Sequence, residues 1–199
     1  MEENTDLKME KASRSQEKQD ENEGAHNLKT LHGSTTIKVE KIIRHPHYKK
    51  KGWVNDVALI QLATAINPSQ KVKIISLPND PIQEGQEGNY DCHTTGWGRT
   101  RGKKGSQAIV LQEVKIPIVG HKDCQRKWAM VHENEMICAG GNNAGTCRGD
   151  SGGPLACIEG GKWILRGVTS WGHKKCRTDF FSVYARVSTY VDWIKSKTK

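Results

Sequence analysis

Thr146-Cys147-Arg148-Gly149-Asp150-Ser151-Gly152-Gly153-Pro154-Leu155-Ala156-Cys157 is the segment from which the rest of the chain can be read. One serine, Ser151, stands between glycine-containing flanks, with an aspartate before it and a cysteine near each end. A hydroxyl is a weak nucleophile at neutral pH. To act as one it needs an exposed Oγ, a nearby base and hydrogen-bond donors for the oxyanion. Glycines on both sides permit a tight turn and leave the backbone N–H groups unobstructed. In such a turn the N–H groups of Gly149 and Ser151 can converge on one point, the arrangement of an oxyanion hole. Taken as Gly-x-Ser-x-Gly alone, the string fits a glycine-rich surface turn with an incidental serine equally well.

The longer string is more specific. Gly149-Asp150-Ser151-Gly152-Gly153-Pro154-Leu155 resembles the nucleophile motif of the chymotrypsin/trypsin-like serine proteases, in the chymotrypsin- or elastase-like branch. Thr95-Gly96-Trp97-Gly98, Met136-Ile137-Cys138-Ala139-Gly140 and Val168-Thr169-Ser170-Trp171-Gly172 resemble further motifs of that family. So do Val183-Tyr184-Ala185-Arg186-Val187 and Tyr190-Val191-Asp192-Trp193-Ile194. They occur in family order and span roughly residues 24–199. The resemblance implies an all-β fold, a double β-barrel with a C-terminal helix, in which the N-terminal barrel is incomplete. It divides the chain into an acidic tail (1–23), a remnant of the first barrel (24–80), and a second barrel with the helix (81–199).

The residues themselves agree. From Cys92 onward short apolar runs alternate with turn residues at fairly regular spacing, the signature of an all-β domain. Thr35 to Ile43 is rich in Ile, Val and Thr and reads as a strand. Val187, Val191 and Ile194 recur at helical spacing, with Ser188 as the expected N-cap. Asn55-Asp56 opens the apolar run Val57 to Leu62, so Asp56 is held at the start of a strand. On its own it reads equally as a turn aspartate capping backbone N–H groups. The resemblance makes Asp56 the residue that orients a catalytic histidine.

That histidine is not found. The family takes its base from a Thr-Ala-Ala-His-Cys motif, and counting back the usual spacing from Asp56 lands at Lys11-Ala12-Ser13. His26, His32, His45 and His47 are the nearest histidines, and none matches the motif. The basic residue followed by Ile-Val-Gly-Gly, which in the family yields the amine that pairs with the aspartate before the serine, is absent as well. Asp150 is therefore expected to lack a partner. The expectation is a truncated or alternatively started protease chain, impaired as an enzyme. A non-catalytic protein that binds through its cationic surface is the alternative. An α/β-hydrolase is disfavoured, because that fold places Asp and then His after the serine, whereas here His173 precedes Asp179.

For substrate contacts the resemblance implies Gly145 and Thr146 at the floor of the primary pocket, with Ser170-Trp171-Gly172 as a wall and Ser182 narrowing it. No acid stands there, so a medium or large apolar side chain is expected rather than Lys or Arg. Arg148 and Lys174-Lys175 near the cleft favour acidic neighbours. Six cysteines suit a disulfide framework whose pairing the sequence alone does not choose. The family pairing is Cys92–Cys157, Cys124–Cys138 and Cys147–Cys176, and it implies an extracellular protein.

Eight acids and four bases give residues 1–23 a net −4. The whole chain is +9, so the remainder carries +13. Lys49-Lys50-Lys51, Arg99 to Lys104 and Lys174-Lys175-Arg177 are the basic clusters. They read first as solvated loops and second as a field for acidic partners such as a sulfated polysaccharide. Protein or peptide substrates and protease inhibitors are the other expected partners, with the chain a monomer. No motif suggests nucleic acid, no metal or cofactor is implied, and His45 and His47 read as loop residues rather than ligands. No apolar run is long enough to span a membrane, and no leader is visible before residue 24. The tail is too polar to offset its ordering entropy and is expected to be disordered or a frayed helix.

Overall fold

The chain enters its first long strand pairing through a turn at Asn55, whose left-handed φ of +52° is one that asparagine tolerates. Its side-chain amide donates to the His47 carbonyl at 3.0 Å. The apolar run that follows then has no choice of face. Ala58–Leu62 is buried at four of its five positions, because neighbours cover both of its sides. The computed structural model describes residues 7–10, 21–31, 33–102 and 105–198.

Twelve strands and two short helices are numbered in chain order. The segment expected to be one strand at Thr35 to Ile43 is two, β3 (Thr35–Ile37) and β4 (Val39–Arg44), with Lys38 between them. β4 pairs antiparallel with β5 (Ala58–Leu62). The other edge of β5 takes β1 (Leu7–Glu10), and β2 (Glu21–Glu23) pairs with β3. This corrects the expectation for residues 1–23. Within that acidic tail, residues 7–10 and 21–23 are strands, not disordered or frayed helix. Residues 1–6 and 11–20 lie outside the described residues. The physical reason is the open edge of β5: a strand edge supplies backbone partners to any extended segment whatever its own propensity.

The larger sheet runs β7-β6-β10-β11-β12-β9-β8 and is antiparallel throughout. Its strands are β6 (Asp91–Gly96), β7 (Gln112–Lys115), β8 (Ile118–Val119), β9 (Met136–Gly140), β10 (Pro154–Glu159), β11 (Lys162–Trp171) and β12 (Phe181–Arg186). α1 (His121–Lys127) precedes β9, and α2 (Val191–Lys197) ends the fold. The fold is all-β with a short C-terminal helix, as expected. Ser188 is not the helix cap, however. It lies inside a 3-10 turn, Val187–Tyr190, and α2 begins after Tyr190 with no side-chain cap. The reason is Tyr190 itself, whose burial draws the chain into a tighter turn before the α-helix starts.

All three expected disulfides are present: Cys92–Cys157, Cys124–Cys138 and Cys147–Cys176. The first crosses β6 and β10, and the third ties the Ser151 loop to the turn after β11. One core unites the two sheets with α2. Val57 and Leu59 meet Leu165, Val168, Ala185, Val187, Tyr190 and Ile194 there. Tyr184 and Tyr190 are fully buried, and burial pushes both phenols well above the ordinary tyrosine value of about 10. The unfolded chain ionises both near pH 10, whereas the folded one holds them neutral. Their contribution to stability is thus intact below pH 10 and is lost as the pH rises beyond it. Urea midpoints at pH 8 and pH 11 check this: the midpoint should fall at pH 11, and by less in Tyr184→Phe/Tyr190→Phe. An equal fall in that double variant would put the alkaline sensitivity elsewhere.

Candidate functional site

The Ser151 loop is shaped by two left-handed glycines, Gly149 (φ +105°) and Gly152 (φ +88°). A Cβ on Gly149 would stand 2.9 Å from Gly98 Cα, and one on Gly153 would stand 2.9 Å from the carbonyls of Asp150 and Thr95. No residue but glycine fits these positions without moving backbone. Within the loop the N–H of Asp150 donates to Cys147 (3.1 Å) and that of Gly153 to Asp150 (2.9 Å).

The loop is then clamped to β11. Gly152 N–H donates to the Thr169 carbonyl at 2.9 Å, and Thr169 N–H returns a bond to the Gly153 carbonyl at 2.8 Å. The next residue, Ser170, donates its hydroxyl to Asp56 Oδ2 at 2.6 Å. Asp56 and Ser170 are 1% and 3% exposed. Three chain segments, around residues 56, 151 and 170, thus converge through one short run of hydrogen bonds. Asp56 reaches it from the end of the turn before β5.

Asp150 was expected to lack a partner, and that expectation is corrected. Its Oδ1 accepts the Gly98 N–H at 2.7 Å and its Oδ2 the Cys147 N–H at 2.8 Å. Gly96 and Gly98 make room for the carboxylate, since a Cβ on either would lie within 2.4 Å of its oxygens. The glycines of Thr95-Gly96-Trp97-Gly98 therefore have a steric function that the motif alone did not reveal. The only signal in the sequence was their spacing on either side of Trp97.

Of the residues expected around the primary pocket, Gly145, Thr146 and Ser182 lie together. Ser182 is buried, and its Oγ accepts the Thr146 N–H at 2.9 Å. A Cβ on Gly145 would lie 3.0 Å from that same oxygen. Tyr184, two residues on in β12, has the hydroxyls of Thr94, Ser182 and Thr146 around its own, but none is placed to bond it. Trp171 packs edge-on against Trp128 at 5.3 Å between ring centres. Gly172, Arg148, Lys174 and Lys175 are exposed.

Of the nearby histidines, His45 has its ring packed at the C-terminal helix, and His26 is tied through its backbone carbonyl. The carbonyl of His26 accepts from Leu111 N–H (2.8 Å) and from Trp97 Nε1 (3.3 Å). His45 packs edge-on against Trp193 (4.8 Å) and Tyr190 (5.4 Å). Burial, and secondarily His47, holds its imidazole below the ordinary value. His32 lies outside the described residues. A cleft of about 570 Å³ lies away from the Ser151 loop, with Ile82, Ile118, Ile137 and Arg186 among its walls. Among the described residues no His, Cys, Asp or Glu group is gathered to hold a metal ion, and no helix is long and apolar enough to cross a membrane.

These arrangements follow the motifs in order, and a comparison with protein families agrees. The model of the family described as Trypsin matches residues 13–194. With nearly the whole chain covered, this protein belongs to the trypsin family of serine proteases.

Proposed function

We propose that the site is that of a serine endopeptidase acting through an acyl-enzyme on Ser151, and that this chain by itself is impaired because the family's Thr-Ala-Ala-His-Cys base motif has no counterpart in its sequence. The observation that carries the reading is the bond run from the Ser151 loop through Thr169 and Ser170 to Asp56. It unites the nucleophile with the carboxylate that would orient an imidazole. Gly149 and Ser151 supply the oxyanion N–H groups.

Gly145, Thr146 and Ser182 floor a pocket without charge, walled by Ser170, Trp171 and Gly172. It suits an apolar side chain on a peptide substrate, while Arg148, Lys174 and Lys175 favour acidic neighbours. Residues 24–80 are the remnant of one barrel and 81–199 the second. The three disulfides favour an oxidising, extracellular setting.

Loss of the triad base typically costs about a million-fold in turnover and leaves roughly a thousand-fold over water. A fluorophosphonate probe tests this on the full chain. Slow labelling that disappears in Ser151→Ala is the expected result. Labelling that survives Ser151→Ala would remove Ser151 from the nucleophile position. Rapid stoichiometric labelling would show that a base is present after all. The second reading, a non-catalytic binding protein, is favoured by one observation, the exposed basic run Lys49-Lys50-Lys51.

A further inference from the structure

We infer that the cleft lined by β8, β9 and the end of β12 is a binding site for the C-terminal lysine of another polypeptide. In it the free carboxylate meets Arg186 and Ser188, the aliphatic stem lies on Ile118 and Ile137, and the ammonium sits with Glu87 and Glu133. All six residues line one cavity of about 570 Å³, within the usual size of a small-ligand site. None of its walls belongs to the Ser151 loop or to the pocket beside it, so the inference stands apart from the reading of Ser151.

The apolar part of the cleft is rigid. Ile118 and Ile137 are buried in the core around the Cys92–Cys157 bridge, with Ile82 packed against it. Methylenes laid on them leave water without any shift of the strands. Arg186 ends β12, and its Nε donates to the Met136 carbonyl at 3.2 Å, which orients the guanidinium. Among the described residues its Nη nitrogens have no hydrogen bond and no carboxylate within ion-pair distance. Burial, before any neighbour, holds its pKa below the ordinary arginine value; Glu133 and Glu87 act the other way, and Arg166 adds to the lowering. Ser188, in the turn that follows, brings a hydroxyl to the same wall. An underpaired guanidinium on a cavity wall is suited to a carboxylate, which its fork takes with two bonds.

The opposite charge comes from other elements. Glu87 opens the 3-10 turn Glu87–Asn89 and lies over Gly120, where a Cβ would stand 3.3 Å from its Oε1. Glu133 is exposed on the loop before β9. Among the described residues neither has a cation within ion-pair distance, whereas Glu84 on the same rim is held by Lys122 at 2.8 Å. A simple anion would be repelled by these carboxylates and a simple cation by Arg186. A ligand that carries both charges on an apolar stem suits every wall, and a C-terminal lysine is such a group. Lysine fits better than arginine, because a compact ammonium with three donors reaches carboxylates on separate elements, whereas a planar guanidinium favours one carboxylate in its own plane. A protein terminus fits better than the free amino acid, whose α-ammonium would stand beside Arg186; in a polypeptide that nitrogen is a neutral amide.

The experiment is calorimetric titration of the full chain with the peptide acetyl-Gly-Ala-Gly-Lys, its C-terminus free. The comparison probes are the same peptide as its C-terminal amide, with norleucine or arginine in place of the lysine, and free lysine. Saturable binding of the lysine-ended peptide is expected, weakened about tenfold or more by the amide and by norleucine. Arg186→Gln and Glu87→Gln/Glu133→Gln should each weaken it by about as much, and Glu40→Gln/Asp192→Asn, which removes two exposed acids elsewhere, should leave it unchanged. No saturable binding at millimolar peptide, or equal binding of the amide or the norleucine peptide, would overturn the inference. An equal loss in Glu40→Gln/Asp192→Asn would reduce it to net charge and overturn it too. Tighter binding of the arginine-ended peptide or of free lysine would overturn the choice of ligand. Glu133→Gln alone carries the test if Arg186→Gln fails to fold, since Glu133 is exposed and outside the core; a loss is expected there, and unchanged affinity would overturn the ammonium site.

Discussion

Tyr190→Ala is expected to destabilise the protein by about 3–5 kcal/mol, a large part of the stability of a domain this size. Tyr190 is 1% exposed and sits where β5, β11, β12 and α2 meet, among Val57, Leu59, Val168 and Ile194. Removing its ring leaves a cavity that this framework cannot close, because the surrounding strands are held by their own hydrogen bonds. It also removes the edge contact to His45 and so loosens the loop that follows. The hydroxyl matters less. It lies 3.3 Å from Asn55 Oδ1 and 3.4 Å from the Glu135 carbonyl, both long, and can serve one at a time. Tyr190→Phe should therefore cost about 1 kcal/mol or less. Thermal melts of both variants decide the matter, with a drop of roughly 10 °C or more expected for alanine. If phenylalanine cost as much as alanine, the hydroxyl and not the packing would be what holds this junction.

Asp150→Ala is the second large effect, expected to cost about 2–5 kcal/mol. The carboxylate accepts two backbone N–H groups, from Gly98 and Cys147, and both would be left without acceptors in a half-buried site. Asp150→Asn should fall in between. Its amide oxygen keeps one bond, while its NH₂ is turned toward the other donor. Gly98→Ala should mimic the loss from the opposite side, since the new Cβ would meet the carboxylate at 2.4 Å. Hydrogen exchange adds a local readout: the amides of Gly98 and Cys147 should lose protection in Asp150→Ala. Unchanged protection there would mean that the Ser151 loop is held by its bonds to Thr169 alone. The consequence for function is direct. Asp150 adjoins both residues proposed to hold the oxyanion, so disorder here would disable the site without touching Ser151.

Much of this was legible in the chain. The strand at Asp56 to Leu62 announces itself by an apolar run with a polar start, and its burial on both sides explains why that run does not alternate. The glycines around Ser151 announce a tight turn, and their positive φ values bear this out. The cysteine pairing was not readable from spacing. It came from resemblance, and the structure has the same three bridges. Ser188 misled because capping preference is a weak local bias, overridden when burying Tyr190 fixes the turn. Leu7–Glu10 misled more, since Leu-Lys-Met-Glu carries no strand signature and pairs only because β5 offers an edge.

The sequence by itself determined the family and the all-β class, because turns, apolar runs and motif order are properties of neighbouring residues. Only the tertiary structure decided which groups meet. It paired Asp150 with a backbone N–H 52 residues away and Ser170 with Asp56 across 114. It also packed His45 against Trp193 of the C-terminal helix. These are contacts between side chains and backbone groups far apart along the chain, fixed by where the strands close on one another. No local pattern carries that information.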